Sequence, residues 1–390
     1  MYPLSELPRI LSITIPVNPL KKSGAVFLWG ARGTGKTTYL KKKYPKAKFY
    51  DLLQSDLLTN LQLAPHHLRE EVLAQKPKLV IIDEVQKNPP LIDEVHWLLE
   101  NTSTQFILCG SSARKLKRES KNLLGGRATS FHLFPLVTKE LPHFDLNRAL
   151  SQGLVPLHYM TDKPKPMLKA YVQNYLREEI IEKAIVRNIP SFARFLNTVA
   201  LTHGQLLNYA NIAREVGVSP STVREYYQIL EDTLLGHTLE PWKKVRDRRL
   251  IETAKFYLFD VGVALALNSE VEQLSEGTDI YGNAFEHLMI EEVKAYLAYS
   301  QKDYPIRFWR TASGYEVDLI VENMKLALEF KSTKKVAGQH LKGLKALVEE
   351  HKCQRVILVS REENYRKTMG GIELMHWQLF CKKLWDGELV

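Results

Sequence analysis

Cysteine is scarce in this sequence. Only Cys109, Cys353 and Cys381 occur, odd in number and far apart. That excludes a disulfide scaffold and a paired-cysteine zinc site, and it fits a reducing cytosol, so a cytoplasmic location is expected. No run of ~18 uncharged apolar residues is present, which excludes a transmembrane helix. The stretch from Met1 to Pro19 holds four prolines and no compact apolar core, so it does not read as a secretory signal. Internal repeats and low-complexity tracts are missing, which removes solenoid and linker readings. Acidic residues are fewer than basic ones, 44 against 54, a net charge of +10. Residues 1–150 carry most of that excess, with 22 basic side chains against 13 acidic. A basic front half suits phosphate-rich ligands, nucleotide or nucleic acid, although Lys41-Lys42-Lys43 alone reads as a solvated face. A chain of 390 residues makes roughly two to four domains.

The strongest motif follows the apolar run Ala25-Val26-Phe27-Leu28-Trp29, which reads as a buried parallel strand. Gly30-Ala31-Arg32-Gly33-Thr34-Gly35-Lys36-Thr37 matches the G-x-x-x-x-G-K-[ST] phosphate loop, with a strand before it and a helix after. Glycines let backbone N–H groups turn inward around the phosphates. The helix starting near Lys36 turns its positive dipole end toward them. Lys36 is expected to reach the β- and γ-phosphates, Thr37 to ligate Mg²⁺, and Gly30 to Thr38 to form the ATP cradle.

A second apolar run, Leu79-Val80-Ile81-Ile82, ends in Asp83-Glu84. Asp83 is placed to organise the Mg²⁺ shell and Glu84 to polarise the attacking water, which favours hydrolysis over mere binding. A third, Gln105 to Cys109, ends in Gly110-Ser111-Ser112, where Ser111 could sense the γ-phosphate. A basic helix follows, with Arg114, Lys115, Lys117, Arg118 and Lys121, then Gly125-Gly126-Arg127 before a strand at 129–134. Arg127 suits an arginine finger serving a neighbouring subunit; an equally good reading is a helix-end cation on terminal carbonyls.

The order Gly-Ala-Arg-Gly-Thr-Gly-Lys-Thr-Thr, Ile-Ile-Asp-Glu-Val-Gln-Lys, Cys-Gly-Ser-Ser, then Gly-Gly-Arg before Phe-Pro-Leu resembles a prokaryotic AAA-plus ATPase family. Its members carry a C-terminal domain of unknown function that resembles PD-(D/E)xK nucleases. The resemblance runs from about Gly24 to Phe380. It implies an additional-strand P-loop core with Ser111 as sensor, Arg127 as finger, a small helical lid and, by analogy, a homo-oligomeric ring, with a hexamer favoured. Ala31 departs from the proline often found in that loop. Ser111 departs from the more usual Asn.

Residues 209–230 read as helix-turn-helix. Ala210, Ile212, Ala213 and Val216 make one packing face, Gly217 the turn, and Val218 packs inward. Ser219-Pro220 opens a second helix as cap and first residue. Val223, Tyr226, Ile229 and Leu230 form its buried side, leaving Ser221, Thr222, Arg224 and Glu225 as reading positions. The cations among Trp242 to Arg249 suit a wing touching phosphates. Such modules also join proteins and domains. DNA is the expected partner, with RNA as the alternative. His66-His67 reads as a surface or core pair without further ligands.

In the last third, residues 284–299 read as an amphipathic helix with Phe285, Leu288, Met289, Val293 and Tyr296 inward and Glu286 near its start. Arg307-Phe308-Trp309-Arg310 comes next, then a polar turn with Gly314. Strands are expected at 316–321 and 326–331, then a helix at 339–351 and a strand at 356–359. Alternation puts Glu329 and Lys331 on one strand face, and a hairpin would bring Asp318 beside them. Two carboxylates and a lysine suit a Mg²⁺ or Mn²⁺ site for phosphodiester hydrolysis, with Lys331 orienting water and Glu286 adding a ligand. In the PD-(D/E)xK resemblance, Asp318 is the D and Glu329-Phe330-Lys331 the E-x-K.

The expected architecture is α/β multidomain. It comprises a P-loop ATPase core at 1–150, a helical lid at 151–200, a winged helix-turn-helix at 201–265 and a restriction-endonuclease-like domain at 266–390. The expected function is ATP hydrolysis coupled to DNA binding, with metal-dependent cleavage in the last domain. The alternative is a switch ATPase acting on a protein partner, its nuclease-like domain silent.

Overall fold

A computed structural model describes residues 7–112, 128–175, 188–243, 253–268 and 274–390. The basic helix with Arg114 to Lys121, the Arg127 corner and the wing cations from Lys244 to Arg249 lie outside the described residues. The chain forms two bodies: one of Tyr2–Pro135 with Ile229–Leu235, the other of Leu136–Gln228 with Gly236–Val390.

In the first body five parallel strands form one sheet in the order β2-β3-β4-β1-β5. They are β1 (Gly24–Trp29), β2 (Lys48–Asp51), β3 (Leu79–Asp83), β4 (Gln105–Gly110) and β5 (Ala128–His132). β1, the Gly-Ala-Val-Phe-Leu-Trp run, is buried along its whole length, because helices cover both faces of a central parallel strand. Its register sets Trp29 against Gly110, and β3 pairs Ile82 with Leu108. Hence the phosphate loop after β1, Asp83-Glu84 after β3 and Ser111 after β4 leave the sheet at one edge. Ligand clefts of open α/β sheets lie at that edge.

The division falls at Pro135/Leu136, ahead of the boundary expected at 150. The helix Leu146–Gln152 folds with the second body because Asp260 caps the helix Val261–Leu267 and also accepts from Leu154 N at 2.6 Å. Short helices at Pro156–Met160 and Pro164–Ala170 follow, then a π-helical turn at Tyr171–Tyr175.

Three longer helices come next: Ile189–Leu201, Tyr209–Val216 and Pro220–Asp232. Gly217 ends the second with φ +74°, a left-handed conformation glycine adopts without Cβ strain. The Ser219 hydroxyl accepts from Thr222 N at 3.1 Å, capping the third. Val223, Tyr226, Ile229 and Leu230 are buried, while Ser221, Arg224 and Glu225 are exposed. The hairpin β6 (Gly236–Leu239) and β7 (Lys255–Leu258) follows, its pairs running from Gly236–Leu258 to Leu239–Lys255.

The C-terminal part is a mixed sheet in the order β12-β13-β11-β10-β9-β8. Its strands are β8 (Ile306–Arg310), β9 (Glu316–Val321), β10 (Leu326–Lys331), β11 (Arg355–Ser360), β12 (Arg366–Lys367) and β13 (Glu373–His376). Arg307 to Arg310 belong to strand β8, with Phe308 and Trp309 buried in the sheet, and the turn with Gly314 at φ +91° leads into β9. The helix Asp279–Tyr299 precedes the sheet and Lys342–Glu350 packs on it. β12, β13 and the helix Trp377–Trp385 extend the fold past the last expected strand.

Candidate functional sites

In the first body, Gly33 and Gly35 have φ +86° and +89°, so the loop Gly30–Thr37 turns its amides inward as a phosphate cradle needs. The helix Lys36–Lys43 starts directly behind it. Lys36, 6% exposed, donates to the carbonyls of Gly30 at 2.7 Å and Ala31 at 3.1 Å. Its ammonium holds the loop closed, where phosphate oxygens can replace those carbonyls. Thr34 also donates to Ala31 O, at 2.8 Å. Arg32 and Thr38 are exposed at the rim.

Across the cleft, Thr37 Oγ1 donates to Asp83 Oδ2 at 2.5 Å. Asp83 is fully buried, and burial raises its pKa above the usual carboxylate value, against the hydrogen bond from Thr37. A divalent cation there would offset that burial cost, and the Thr37 hydroxyl with the Asp83 carboxylate is a donor set that fits Mg²⁺. Glu84 stands in the left-handed region at φ +58°. Its carboxylate accepts from Gln86 Nε2 and, at 3.3 Å, from Ser111 Oγ; Gln86 Nε2 also donates to Ser111 Oγ at 3.1 Å. The strained turn and this triangle aim Glu84 away from a free rotamer search.

Gln86 was legible only as part of the Val85-Gln86-Lys87 signature, with no role attached. Arg9 carried no sequence signal: its guanidinium donates to Thr34 O at 2.7 Å and to Phe134 O at 2.6 Å, strapping the N-terminal segment across the loop.

The second site lies in the C-terminal sheet. β9 and β10 run antiparallel with Leu319 opposite Leu328, which brings Asp318 and Glu329 side by side. Lys331 Nζ is 2.6 Å from Glu329 Oε1 and 3.7 Å from Asp318 Oδ2. Asp318 Oδ2 also accepts from Phe330 N at 2.7 Å. Burial and then the nearby Glu286 push Asp318 up to about 6, and burial pushes Glu329 well above its ordinary value. Burial alone would lower the Lys331 pKa, yet the two carboxylates hold it above its usual value.

Glu286 joins this cluster through partners the sequence did not reveal. Tyr257 OH donates to Glu286 Oε1 at 2.6 Å, and Lys255 Nζ lies 3.6 Å from the same oxygen and 2.6 Å from Glu316 Oε1. Arg310 pairs with the other oxygen of Glu316 at 2.5 Å. Lys255 and Tyr257 sit two apart on β7, so strand alternation puts both on the face toward the carboxylates.

Among the described residues one trio of ligand-type side-chain atoms lies mutually within 4.8 Å: His66, His67 and Glu70, all exposed. Glu70, on the same helix, supplies the neighbour the histidine pair was expected to lack.

Residues 22–142 match the AAA domain family. Residues 144–275 and 281–380 match two domains of unknown function, DUF8612 and DUF4143. An uncharacterized protein of Mycobacterium tuberculosis is 26% identical over 314 residues, 78% of this chain and 68% of the relative. An uncharacterized protein of Methanocaldococcus jannaschii is 23% identical over 423 aligned positions, 92% of this chain and 85% of the relative. Among solved structures, the Walker-type ATPase PABY2304 of Pyrococcus abyssi aligns with a TM-score of 0.42 at 14% identity, covering 62% of this chain and 90% of that one. A STAND signal-transduction ATPase with a tetratricopeptide repeat sensor from Pyrococcus horikoshii aligns with a TM-score of 0.21 at 15% identity, covering 77% and 49%. At these scores neither structure bears on function. The phosphate loop, the parallel sheet and the family match together define the first body as an AAA-type P-loop ATPase domain. No described helix is long and apolar enough to cross a membrane.

Proposed function

We propose that this chain hydrolyses ATP in its AAA domain, engages nucleic acid through its helix-turn-helix and carries a nuclease-like C-terminal fold. The observation that carries the first part is the ordered triangle of Glu84, Gln86 and Ser111 beside the Thr37–Asp83 pair. Lys36 and the loop amides would hold the β- and γ-phosphates, and Thr37 with Asp83 would hold Mg²⁺. That ion, when bound, neutralises charge on the phosphate oxygens. Glu84 orients and polarises the water, and Ser111 ties its carboxylate to the end of β4. Arg127 is proposed as a finger acting in trans, which requires a homo-oligomer.

ATP turnover by the full chain tests this reading. Glu84→Gln should keep nucleotide binding and lose roughly 10²–10⁴-fold in kcat. Lys36→Ala should lose binding as well. Turnover unchanged in Glu84→Gln would overturn the assignment.

Nucleic-acid engagement is supported by the third helix of the module, which leaves Ser221, Arg224 and Glu225 exposed over a buried apolar side. The nuclease-like reading is supported by Asp318 and Glu329 on paired strands with Lys331 beside them. A second reading, a switch ATPase acting on a protein partner with a silent C-terminal fold, is favoured by the buried Lys255 ammonium against the neighbouring Glu286 and Glu316 carboxylates. DNA-stimulated ATP turnover would separate the first reading from the second.

A further inference from the structure

We infer that Lys255, presented by β7, is a built-in cation that occupies the carboxylate centre of Glu286, Glu316 and Asp318 and keeps divalent metal out of it. This rests on reading Asp318, Glu329 and Lys331 as a nuclease-like metal centre.

Three observations support it. First, Lys255 is buried, 4% exposed, and its ammonium contacts Glu316 Oε1 at 2.6 Å and Glu286 Oε1 at 3.6 Å. A positive charge within a few ångströms of a would-be metal ligand repels a divalent ion strongly in a dry site. Second, one oxygen of each carboxylate a metal would use is already engaged. Glu286 Oε1 accepts from Tyr257, Asp318 Oδ2 from Phe330 N, and Glu329 Oε1 pairs with Lys331. The three carboxylates do not converge as a ligand trio. Glu329 Oε2 is the one left buried without a hydrogen-bond partner. Glu286, Glu316, Asp318 and Glu329 face Lys255, Arg310 and Lys331, so the cluster is close to balanced with no metal at all.

Third, the plug is held by backbone. Lys255 pairs with Leu239 on one side and bridges to Leu206 on the other. The strand path after β6 is stitched to β8, since Trp242 N donates to Phe308 O at 2.6 Å and Phe308 N to Glu240 O at 3.1 Å. The ammonium also lies over the Phe308 ring, 5.5 Å from its centroid. β7 therefore presents Lys255 and Tyr257 as a fixed pair, and metal can enter only where that pair is displaced.

Mn²⁺ binding to nucleotide-free, full-length protein tests the plug, read by calorimetry and by electron paramagnetic resonance. The Lys255→Met variant keeps the stem volume and removes the charge. Glu316→Gln, which loosens the anchor of Lys255, is a milder second variant. Retained ATP turnover and far-UV circular dichroism report folding. The expected result is no site in the wild type and one Mn²⁺ per chain in Lys255→Met, roughly a hundredfold tighter, lost again when Asp318→Asn is added. If the wild type binds one Mn²⁺ as tightly as Lys255→Met, and Asp318→Asn removes it, Lys255 excludes nothing; the plug fails while the metal-centre reading stands. If neither folded variant binds Mn²⁺, the plug fails together with that reading.

Discussion

Single buried groups in the second body have consequences out of proportion to their number. Glu292 is 2% exposed on the helix Asp279–Tyr299, and its Oε1 accepts from the backbone and hydroxyl of Thr138 and from Trp385 Nε1 at 2.6 Å. Burial raises it to about 7, against the hydrogen bonds from Thr138 and Trp385. A carboxyl whose folded pKa lies above its unfolded value of 4.5 supports the fold fully below that value, and its support is lost as pH rises through about 7. Spread over that window the loss is roughly 3 kcal/mol. Asp260, raised to about 6 by burial, acts in the same direction. Glu292→Gln keeps the acceptor oxygen and cannot ionise. Its melting temperature should therefore fall less than that of the wild type between pH 5.5 and 8. Parallel declines would show that the carboxyl is already neutral or already offset. Nothing in the local pattern singled out Glu292 from Glu286 and Glu291 on the same helix, because helical spacing does not say which neighbours cover a side chain.

At the scale of elements, the helices Ile189–Leu201, Tyr209–Val216 and Pro220–Asp232 show how a few aromatic contacts set their packing. Phe195, fully buried, lies 5.5 Å from Phe192, 5.2 Å from Tyr226 and 4.9 Å from Tyr227, measured between ring centroids. These contacts join the helix Ile189–Leu201 to Pro220–Asp232. Phe195→Ala should cost roughly 3–5 kcal/mol through lost transfer energy and the cavity it leaves. Urea unfolding would show it as a lower midpoint at unchanged slope. A loss under about 1 kcal/mol would mean that the helices pack without this ring. The turn, the Ser219 cap and the buried face of the third helix were legible beforehand, since caps, glycine turns and apolar spacing are local rules. The role of β7 was not. Lys255-Phe256-Tyr257-Leu258 reads as an ordinary short strand, and its Lys/Tyr pair gains meaning only from Glu286, 29 positions after Tyr257, and Glu316, 61 positions after Lys255.

For the whole molecule, the net charge of +10 and the exposed Arg224 lead to a testable expectation about nucleic acid. Binding of duplex DNA by the full chain should weaken by roughly tenfold or more between 50 and 200 mM salt as counterions are released. Arg224→Ala should lower affinity at every salt concentration. Salt-independent binding, or none at low salt, would remove nucleic acid from the proposal and leave the protein-partner switch.

The sequence by itself determined the ATPase domain. The phosphate loop, Asp83-Glu84 and Ser111 each follow an apolar strand, and parallel strands deliver their ends to one edge whatever lies between them. It also placed Asp318, Glu329 and Lys331 on paired strands, because alternation and a short hairpin are local. Only the tertiary structure decided what surrounds those groups: Gln86 completing the Glu84 triangle, Arg9 strapping the loop, and Lys255 with Tyr257 occupying the carboxylate centre. The physical reason is that a charged group's state depends on which buried partners reach it, and those partners come from strands and helices whose pairing no local pattern encodes.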